Sequence, residues 1–188
     1  NQLKAIRAGG FQTVFVRDIT SLISQSNHTG NPCVLTFDDG YDDFYYWAFP
    51  LLKKYQTKGT IYIIYNFIGR KGYMTESQIK EVITSGLVEL GAHTLNHAYL
   101  KDIKDDLAWK EIYDSKLLLE KRFDVSVPSF AYPFGAFTKD TVELVRKAGY
   151  TNAVSVVPGI LQSDSNEFFL FRIRPGYINV NNFAKSLE

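Results

Sequence analysis

The sequence predicts an α/β fold, with parallel strands in a layer or barrel and helices packed around them. Short apolar runs bounded by turn residues alternate with longer stretches whose apolar residues recur at helical spacing. Strands that alternate with helices pair in parallel, because each helix returns the chain to the edge where the previous strand began. No repeat or linker divides the 188 residues, so we expect a single domain over residues 1–188.

The strands are predicted from runs of apolar, β-branched and aromatic residues next to turn signals. They cover residues 32–37, 60–65, 88–92, 129–132, 152–157 and 168–173. The helices are predicted from apolar periodicity and capping residues, such as Thr75 and Gln78 in capping-box spacing and Gly149 at a helix end. They cover residues 3–8, 18–24, 42–55, 75–86, 105–123 and 138–148.

The composition excludes several classes of function. Lys and Arg total 21 and Asp and Glu total 20, so the net charge of +1 offers no attraction for nucleic acid or an anionic membrane. No apolar run approaches the roughly 18 residues of a membrane span. The single cysteine, Cys33, excludes an internal disulfide and a thiolate metal cluster, and we expect it to be a small core residue.

Three polar clusters follow predicted strands at their C-terminal ends. They are Asp38-Asp39-Gly40, His93-Thr94-Leu95-Asn96-His97 and Tyr132-Pro133-Phe134-Gly135. In parallel α/β folds and barrels, this edge of the sheet is where functional sites are built. Three clusters converging on one edge therefore predict a single site.

Asp38 and Asp39 follow four apolar residues directly. Adjacent residues of a regular strand point to opposite faces, so the strand has to end here for both carboxylates to enter one pocket. Gly40 supplies the backbone freedom for that turn. Asp42 and Asp43 instead suit the first turn of the following helix, where acidic residues are stabilised by the helix dipole.

His93 and His97 are spaced so that they can share one face of a helical turn. Two imidazoles and one carboxylate form a three-ligand site with room for water, which is typical of catalytic zinc. The alternative is a pair of partly buried histidines that are satisfied by hydrogen bonds. The third histidine, His28, lies in a polar loop and is expected at the surface.

The first two clusters resemble known motifs. Residues 36–41, Thr-Phe-Asp-Asp-Gly-Tyr, together with His93-Thr94-x-x-His97, resemble the first two motifs of the polysaccharide deacetylases, carbohydrate esterase family 4, with a NodB-type domain. The resemblance runs from about Leu3 to Leu187. It implies a distorted (β/α) barrel and a divalent metal, most commonly Zn²⁺.

The resemblance also implies roles for the matching residues. Asp39, His93 and His97 become the metal ligands, and Asp38 becomes the general base. Thr94 would hydrogen-bond locally and steady the histidine loop.

The third cluster resembles the family motif Arg-x-Pro-Tyr-Gly. In residues 131–135 of this chain, Phe134 would supply a backbone N–H to the oxyanion, and Ala131 replaces the arginine that normally supports the catalytic aspartate. We expect Arg172 to supply that charge, with Arg174 nearly as well placed. The residues expected to contact substrate are Tyr41, Tyr132, Pro133 and Gly135, and the neighbouring Tyr45, Tyr46 and Trp47 are further candidates for stacking on sugars.

The family's general acid is a histidine in a late motif, and this chain has no histidine after His97. The opening Leu3-x-x-Ile6-x-x-Gly9-Gly10-Phe11 resembles the poly-β-1,6-N-acetylglucosamine deacetylase branch. That resemblance implies that the acid lies in a segment upstream of Asn1, with His28 as a weak substitute.

The function implied is metal-dependent hydrolysis of N-acetyl groups on N-acetylglucosamine residues of a polysaccharide, with release of acetate. The resemblance also implies an extracellular or cell-surface location. Two alternatives stay open: a catalytically weakened homologue that binds glycan, and an O-acetyl esterase acting on a polysaccharide such as xylan. A purely structural domain would require the three clusters to be coincidental. The sequence does not determine an oligomeric state.

Overall fold

The structure, a computed structural model, describes residues 1–24, 30–176 and 183. Within them, six α-helices and eight strands alternate along most of the chain. The helices are α1 (Gln2–Ala8), α2 (Ile19–Ser24), α3 (Phe49–Tyr55), α4 (Glu76–Thr84), α5 (Asp105–Phe123) and α6 (Lys139–Lys147). The strands are β1 (Phe11–Val14), β2 (Asn31–Val34), β3 (Thr36–Phe37), β4 (Gly59–Ile63), β5 (Val88–Ala92), β6 (Ser129–Ala131), β7 (Asn152–Pro158) and β8 (Leu170–Arg172).

The strands form a curled, parallel half-barrel. Six of them pair in the order β3-β4-β5-β6-β7-β8, and β1 and β2 form a separate parallel pair. Every pairing between these strands is parallel, for example Gly59 with Val88 and Ile63 with Ala92 in β4 and β5. The predicted α/β class and distorted barrel are confirmed.

The two faces of the sheet bury different sets of side chains. Ile61, Ile63 and Phe130 belong to the larger core between the sheet and the helices. Tyr62 and Ala131, next to them in β4 and β6, belong to a smaller core inside the curl. Because both faces are covered, β4 and β5 are buried along their full length, and apart from Thr60 and Glu89 their residues are glycine or mainly apolar.

Several element boundaries differ from the prediction. The single strand predicted over residues 32–37 is two strands, because Leu35 separates β2, which pairs with β1, from β3, which pairs with β4. Residues 11–14 form a strand that the sequence did not predict. The last strand begins at Leu170, since Asp164–Phe169 is a 3-10 helix with a capping box at Ser163. The 42–55 helix is confirmed, with a π-helical stretch at Phe44–Ala48.

The helix ends follow their predicted signals. Thr75 accepts a hydrogen bond from the Gln78 N–H in the predicted capping box, and Gly86 and Gly149 adopt left-handed φ values of 71° and 83°. Among the described residues, no helix is both long enough and apolar enough to cross a membrane.

A buried carboxyl group lies at the end of the half-barrel opposite the three polar clusters. Glu89 in β5 is only 4% exposed, and its Oε1 accepts hydrogen bonds from the Thr60 hydroxyl at 3.0 Å and the Arg17 N–H at 3.4 Å. The Arg17 guanidinium lies 3.4 Å from Oε2. Burial raises the pKa of Glu89 to about 7, because the hydrogen bonds and the half-exposed Arg17 only partly compensate for desolvation.

We predict that Glu89 makes the fold less stable as the pH rises. The pKa of Glu89 is about 7 in the folded chain, against an ordinary value of 4.5 for a glutamate side chain, so the folded state binds the extra proton between these two pH values. The free energy of unfolding therefore falls through that window, by roughly 3 kcal/mol. Urea denaturation of the parent and of Glu89→Gln, from about pH 5 to about pH 8, should show this loss in the parent alone.

The exposed Glu143 provides the control, because Glu143→Gln should leave the pH dependence of the parent unchanged. Parallel stability curves for the parent and Glu89→Gln would contradict the prediction.

Candidate active site

Asp38 and Asp39 leave β3 through a left-handed turn. Asp39 has φ 72° and Gly40 has φ 78°, and a Cβ at Gly40 would lie 2.7 Å from Cδ1 of Ile63. The strand therefore ends where the sequence predicts, but Asp39 itself also adopts the left-handed conformation, which Asp tolerates better than most residues. As a result, Asp38 and Asp39 reach the same edge of the sheet and meet different partners.

His93 and His97 bracket a tight loop after β5 instead of sharing a helical turn. Thr94 and His97 have φ values of 65° and 60°, so the backbone is left-handed at two positions. The imidazole rings lie side by side with their centroids 4.9 Å apart. The structure thus brings the two histidines together, as predicted, through a different backbone geometry.

Asp39 and the two histidines converge on one point. Asp39 Oδ1 lies 3.3 Å from His93 Nε2 and 3.2 Å from His97 Nε2. These contacts hold the pKa of Asp39 well below its usual range, with the hydrogen bond to His93 as the largest cause and that to His97 next. The Nδ1 of His93 lies 2.7 Å from the Ala131 carbonyl oxygen, which suits an Nδ1–H donor and leaves Nε2 as the ring atom that faces Asp39.

The three donor atoms fit a metal ion. A tetrahedral zinc ion about 2.0–2.1 Å from each donor separates those donors by about 3.3 Å, which matches the two Asp39–histidine distances. One carboxylate and two imidazoles are also the donor chemistry that zinc accepts. Among the described residues, Asp39, His93 and His97 form the group with this geometry.

Arg172 holds the second carboxylate. Its guanidinium donates to both oxygens of Asp38, at 2.8 and 2.9 Å. It also donates to the Thr36 hydroxyl at 3.1 Å and to the Ser155 carbonyl at 2.6 Å. Arg174 is exposed, and none of the ion pairs between described residues involves it. Arg172 rather than Arg174 therefore contacts Asp38, and its role in place of the motif arginine stays a prediction.

Phe134 lies on the third side of the site. It has φ 59° in the short 3-10 turn Pro133–Gly135. In this turn the Gly135 N–H donates to the Tyr132 carbonyl, and the Ala136 N–H donates to the Pro133 carbonyl. Phe134 is 61% exposed, and its ring packs against His97, with centroids 4.4 Å apart. The turn thus covers one side of the metal-binding group.

The prediction that Tyr132 contacts substrate is wrong for its side chain. Tyr132 is 1% exposed, and its hydroxyl donates to the Phe168 carbonyl at 2.9 Å. Pro133 is also buried, and a Cβ on Gly135 would overlap the Val156 side chain. Pro133 and Gly135 therefore shape the turn, and direct sugar contacts by these two residues stay a prediction.

Beside Asp38 lies an aromatic pocket of about 260 Å³. Its lining residues are Phe37, Asp38, Tyr41, Asp43, Phe44, Trp47 and Ala48.

Tyr41, in this pocket, stacks on Tyr73, with ring centroids 4.9 Å apart. A hydrogen bond to Tyr73 and the charge of Asp39 raise the pKa of Tyr41 to about 12. Trp47 is 75% exposed at the rim. Asp43, which the sequence indicated only as a helix-start residue, lines this pocket.

Two further outcomes concern residues outside the motifs. His28, the weak substitute for the general acid, lies outside the described residues. Glu111 of α5, which the sequence analysis did not single out, hydrogen-bonds the histidine loop. No motif links the two segments, so only the folded structure reveals this contact.

Comparisons with known proteins give one consistent family. The polysaccharide deacetylase family model matches residues 25–153. The chain is 34% identical over 173 residues to the putative polysaccharide deacetylase YxkH of Bacillus subtilis, covering 92% of this chain and 62% of that protein. It is 29% identical over 152 residues to the poly-β-1,6-N-acetyl-D-glucosamine N-deacetylase of Staphylococcus aureus, covering 74% of this chain and 52% of that protein. The chain thus spans between half and two thirds of the length of these relatives.

Solved structures agree with this assignment. The Streptococcus pyogenes deacetylase PplD, in complex with acetate, is similar with a TM-score of 0.93 and 28% identity, over 100% of this chain and 84% of that one. IcaB from Ammonifex degensii is similar with a TM-score of 0.89 and 25% identity, over 99% of this chain and 86% of that one. With its half-barrel fold and its matching family model, the chain belongs to the polysaccharide deacetylase family.

Proposed function

We propose that this domain removes N-acetyl groups from N-acetylglucosamine residues of a polysaccharide, using a divalent metal ion, with zinc as the first candidate. The observation that carries the proposal is the convergence of Asp39, His93 and His97 beside the Asp38–Arg172 pair. The named activity of the Staphylococcus aureus relative supports this substrate. Such a substrate would place the protein outside the cell or at its surface.

The metal would be held by Asp39 Oδ1 and by the Nε2 atoms of His93 and His97. When bound, such a metal polarises a carbonyl and lowers the pKa of water. The chain prepares the donors in advance, since the Ala131 carbonyl fixes the His93 ring. Thr94 accepts a hydrogen bond from the Ala98 N–H at 3.3 Å, which supports the role expected for it in steadying the histidine loop.

Asp38 is proposed as the general base that accepts a proton from the attacking water. Arg172 occupies one side of both carboxylate oxygens. Each oxygen of an ionised carboxylate has a second lone pair, which stays available to the water. Arg172 thus orients Asp38 and balances its charge without blocking the proton transfer.

The Phe134 N–H is proposed to donate a hydrogen bond to the oxyanion that forms on the acetyl carbonyl oxygen when water attacks the carbonyl carbon. The left-handed conformation of Phe134 sets this N–H apart from the Gly135 and Ala136 N–H groups, which the turn itself uses. A fixed donor aimed at developing charge costs no reorganisation during the reaction. The histidine that would protonate the departing amine stays a prediction, placed upstream of Asn1.

The aromatic pocket beside Asp38 is proposed to take a sugar ring of the polymer next to the reacting acetamide. Tyr41 and Trp47 offer exposed rings for stacking, and the Asp43 carboxylate can accept hydrogen bonds from hydroxyl groups. A neutral glycan suits the balanced charge of the chain, whereas nucleic acid does not.

We predict that the protein retains about one zinc ion per chain after zinc loading and removal of excess metal. His97→Ala and Asp39→Ala should both lose it, because each removes one of three donors. Elemental analysis measures the bound zinc. The control is Asp106→Ala, which replaces an exposed residue of α5 and should retain the zinc. Equal zinc content in all four proteins, or none in the parent, would overturn the proposed metal site.

We predict that Asp38→Asn lowers acetate release by about 10²–10⁴-fold and leaves zinc content unchanged, because it removes a proton acceptor and no metal donor. Acetate would be measured with the full-length protein on N-acetylglucosamine oligomers and, in parallel, on acetylated xylan. Release of acetate from xylan alone by the parent protein would favour the O-acetyl esterase. A parent protein that retains zinc but releases acetate from neither substrate would favour a glycan-binding homologue.

We predict that Arg172→Lys lowers both activity and stability. Lysine keeps the charge but not the two-pronged contact with Asp38, and the partly buried pair has side chains only 12% and 21% exposed. Breaking it should cost about 2–4 kcal/mol in the free energy of unfolding and lower acetate release by at least about tenfold. Arg174→Lys is the matched control, and equal effects of the two substitutions would refute the assignment.

A further inference from the structure

The histidine loop needs external support, because its backbone is strained. Thr94 and His97 are both left-handed without being glycine. Such conformations are unfavourable for residues other than glycine and persist only where surrounding contacts hold them. The contacts that hold residues 94–96 therefore determine where His97 lies.

The carbonyl side of the loop is held by the segment after β4. The Tyr65 N–H donates to the Thr94 carbonyl at 3.2 Å, and the Asn66 N–H donates to the Leu95 carbonyl at 2.9 Å. The Asn66 side chain also donates to the Asn96 amide oxygen at 2.7 Å. These hydrogen bonds involve the carbonyl and amide oxygens of residues 94–96, so the N–H groups of residues 95 and 96 are available to bind a different residue.

The N–H side of the loop is held by Glu111. Its Oε2 accepts hydrogen bonds from the Leu95 and Asn96 N–H groups, both at 2.9 Å, and its Oε1 accepts one from the Asn96 side chain at 2.6 Å. Hydrogen bonds to an ionised carboxylate are about twice as strong as neutral ones. Successive backbone N–H groups that point at one anion form a compact binding cradle.

Helix α5 gives Glu111 a rigid base. Ala108 and Ile112, on either side of Glu111, are fully buried against the sheet. The carboxylate is thus fixed relative to the strands that carry Asp39 and His93. A site supported from a packed helix is more precise than one supported only by its own loop.

His97 depends on this support more than His93 does. His93 is 2% exposed, and its Nδ1 is fixed by the Ala131 carbonyl. His97 is more exposed, and the contacts of its ring are with Asp39, His93 and the exposed Phe134. The placement of its Nε2 therefore comes mainly from the loop.

We infer that Glu111 is a positioning residue for the metal site: by holding the N–H groups of residues 95 and 96, it places His97 for binding. This inference rests on the proposed metal-dependent function. Substitution of residues that orient metal ligands typically weakens metal affinity by about 10–100-fold.

The test measures the zinc dissociation constant of the full-length protein by competition with a chromophoric chelator. Glu111→Ala should weaken zinc binding by about 10–100-fold. Glu111→Gln should fall between the parent and the alanine variant, because its amide oxygen can still accept from both N–H groups while its NH₂ faces a donor on Asn96. This partial rescue distinguishes positioning from a general loss of packing.

Glu120→Ala is the matched control, since Glu120 lies on the same helix. Its Oε1 accepts from the Val127 N–H at 3.0 Å and from Lys116 at 2.9 Å, away from the histidine loop. It should reduce the melting temperature of the metal-free protein without changing zinc affinity. If Glu111→Ala does not fold, the zinc dissociation constants of Glu111→Gln and Glu120→Ala are compared instead, and only Glu111→Gln should bind zinc more weakly than the parent.

The outcomes separate this inference from the proposed function. Equal zinc affinity in the parent and both Glu111 variants overturns the positioning role and leaves the metal site intact. Weak binding in Glu120→Ala as well as in Glu111→Ala would also overturn it, because helix stability would then explain the loss. A parent that binds no zinc overturns the metal site itself.

Discussion

The geometry of the site depends on the bidentate pair between Arg172 and Asp38. β3 and β8 are the two ends of the six-stranded order, so no strand ladder joins them in the described sheet. Arg172, at the end of β8, reaches Asp38 and Thr36 while its Nε donates to the Ser155 carbonyl of β7. A side chain thus closes the curl where backbone hydrogen bonds do not. The same contact orients the proposed base, so fold closure and chemistry share one interaction.

Backbone strain is concentrated at the site. Asp39, Thr94, His97 and Phe134 are four of the six non-glycine residues with positive φ in the described part of the chain. They follow β3, β5 and β6, where each strand must turn sharply to present its polar residues at one edge. Two of these turns are stabilised from elsewhere, by Glu111 and the Tyr65 segment in the histidine loop and by packing of Gly135 on Val156 in the Phe134 turn. The strained backbone therefore destabilises the fold locally, and it brings side chains from separate strands to one site.

Sequence patterns predicted the features that depend on local chemistry. The apolar runs located the strands, and the adjacent polar residues located Asp39, His93 and His97. The patterns failed where long-range packing decides. The break at Leu35 follows from pairing β2 with β1 and β3 with β4, which no local signal encodes. Tyr132 lies in the core because it faces the same side of the sheet as Phe130, two residues earlier, and its ring packs against Phe130 and Phe137. Glu111 reaches the histidine loop only after α5 has packed.

The left-handed conformation of Asp39 explains how adjacent carboxylates can serve separate purposes. In a regular strand they would face opposite sides of the sheet, and only one could enter the site. After the turn, Asp39 faces the histidines and Asp38 faces Arg172. Arg172 occupies one side of both Asp38 oxygens, which disfavours Asp38 as a competing metal ligand. In the proposed mechanism, Asp39 therefore binds the metal while Asp38 accepts a proton, and these separate roles follow from a single backbone turn and a single guanidinium.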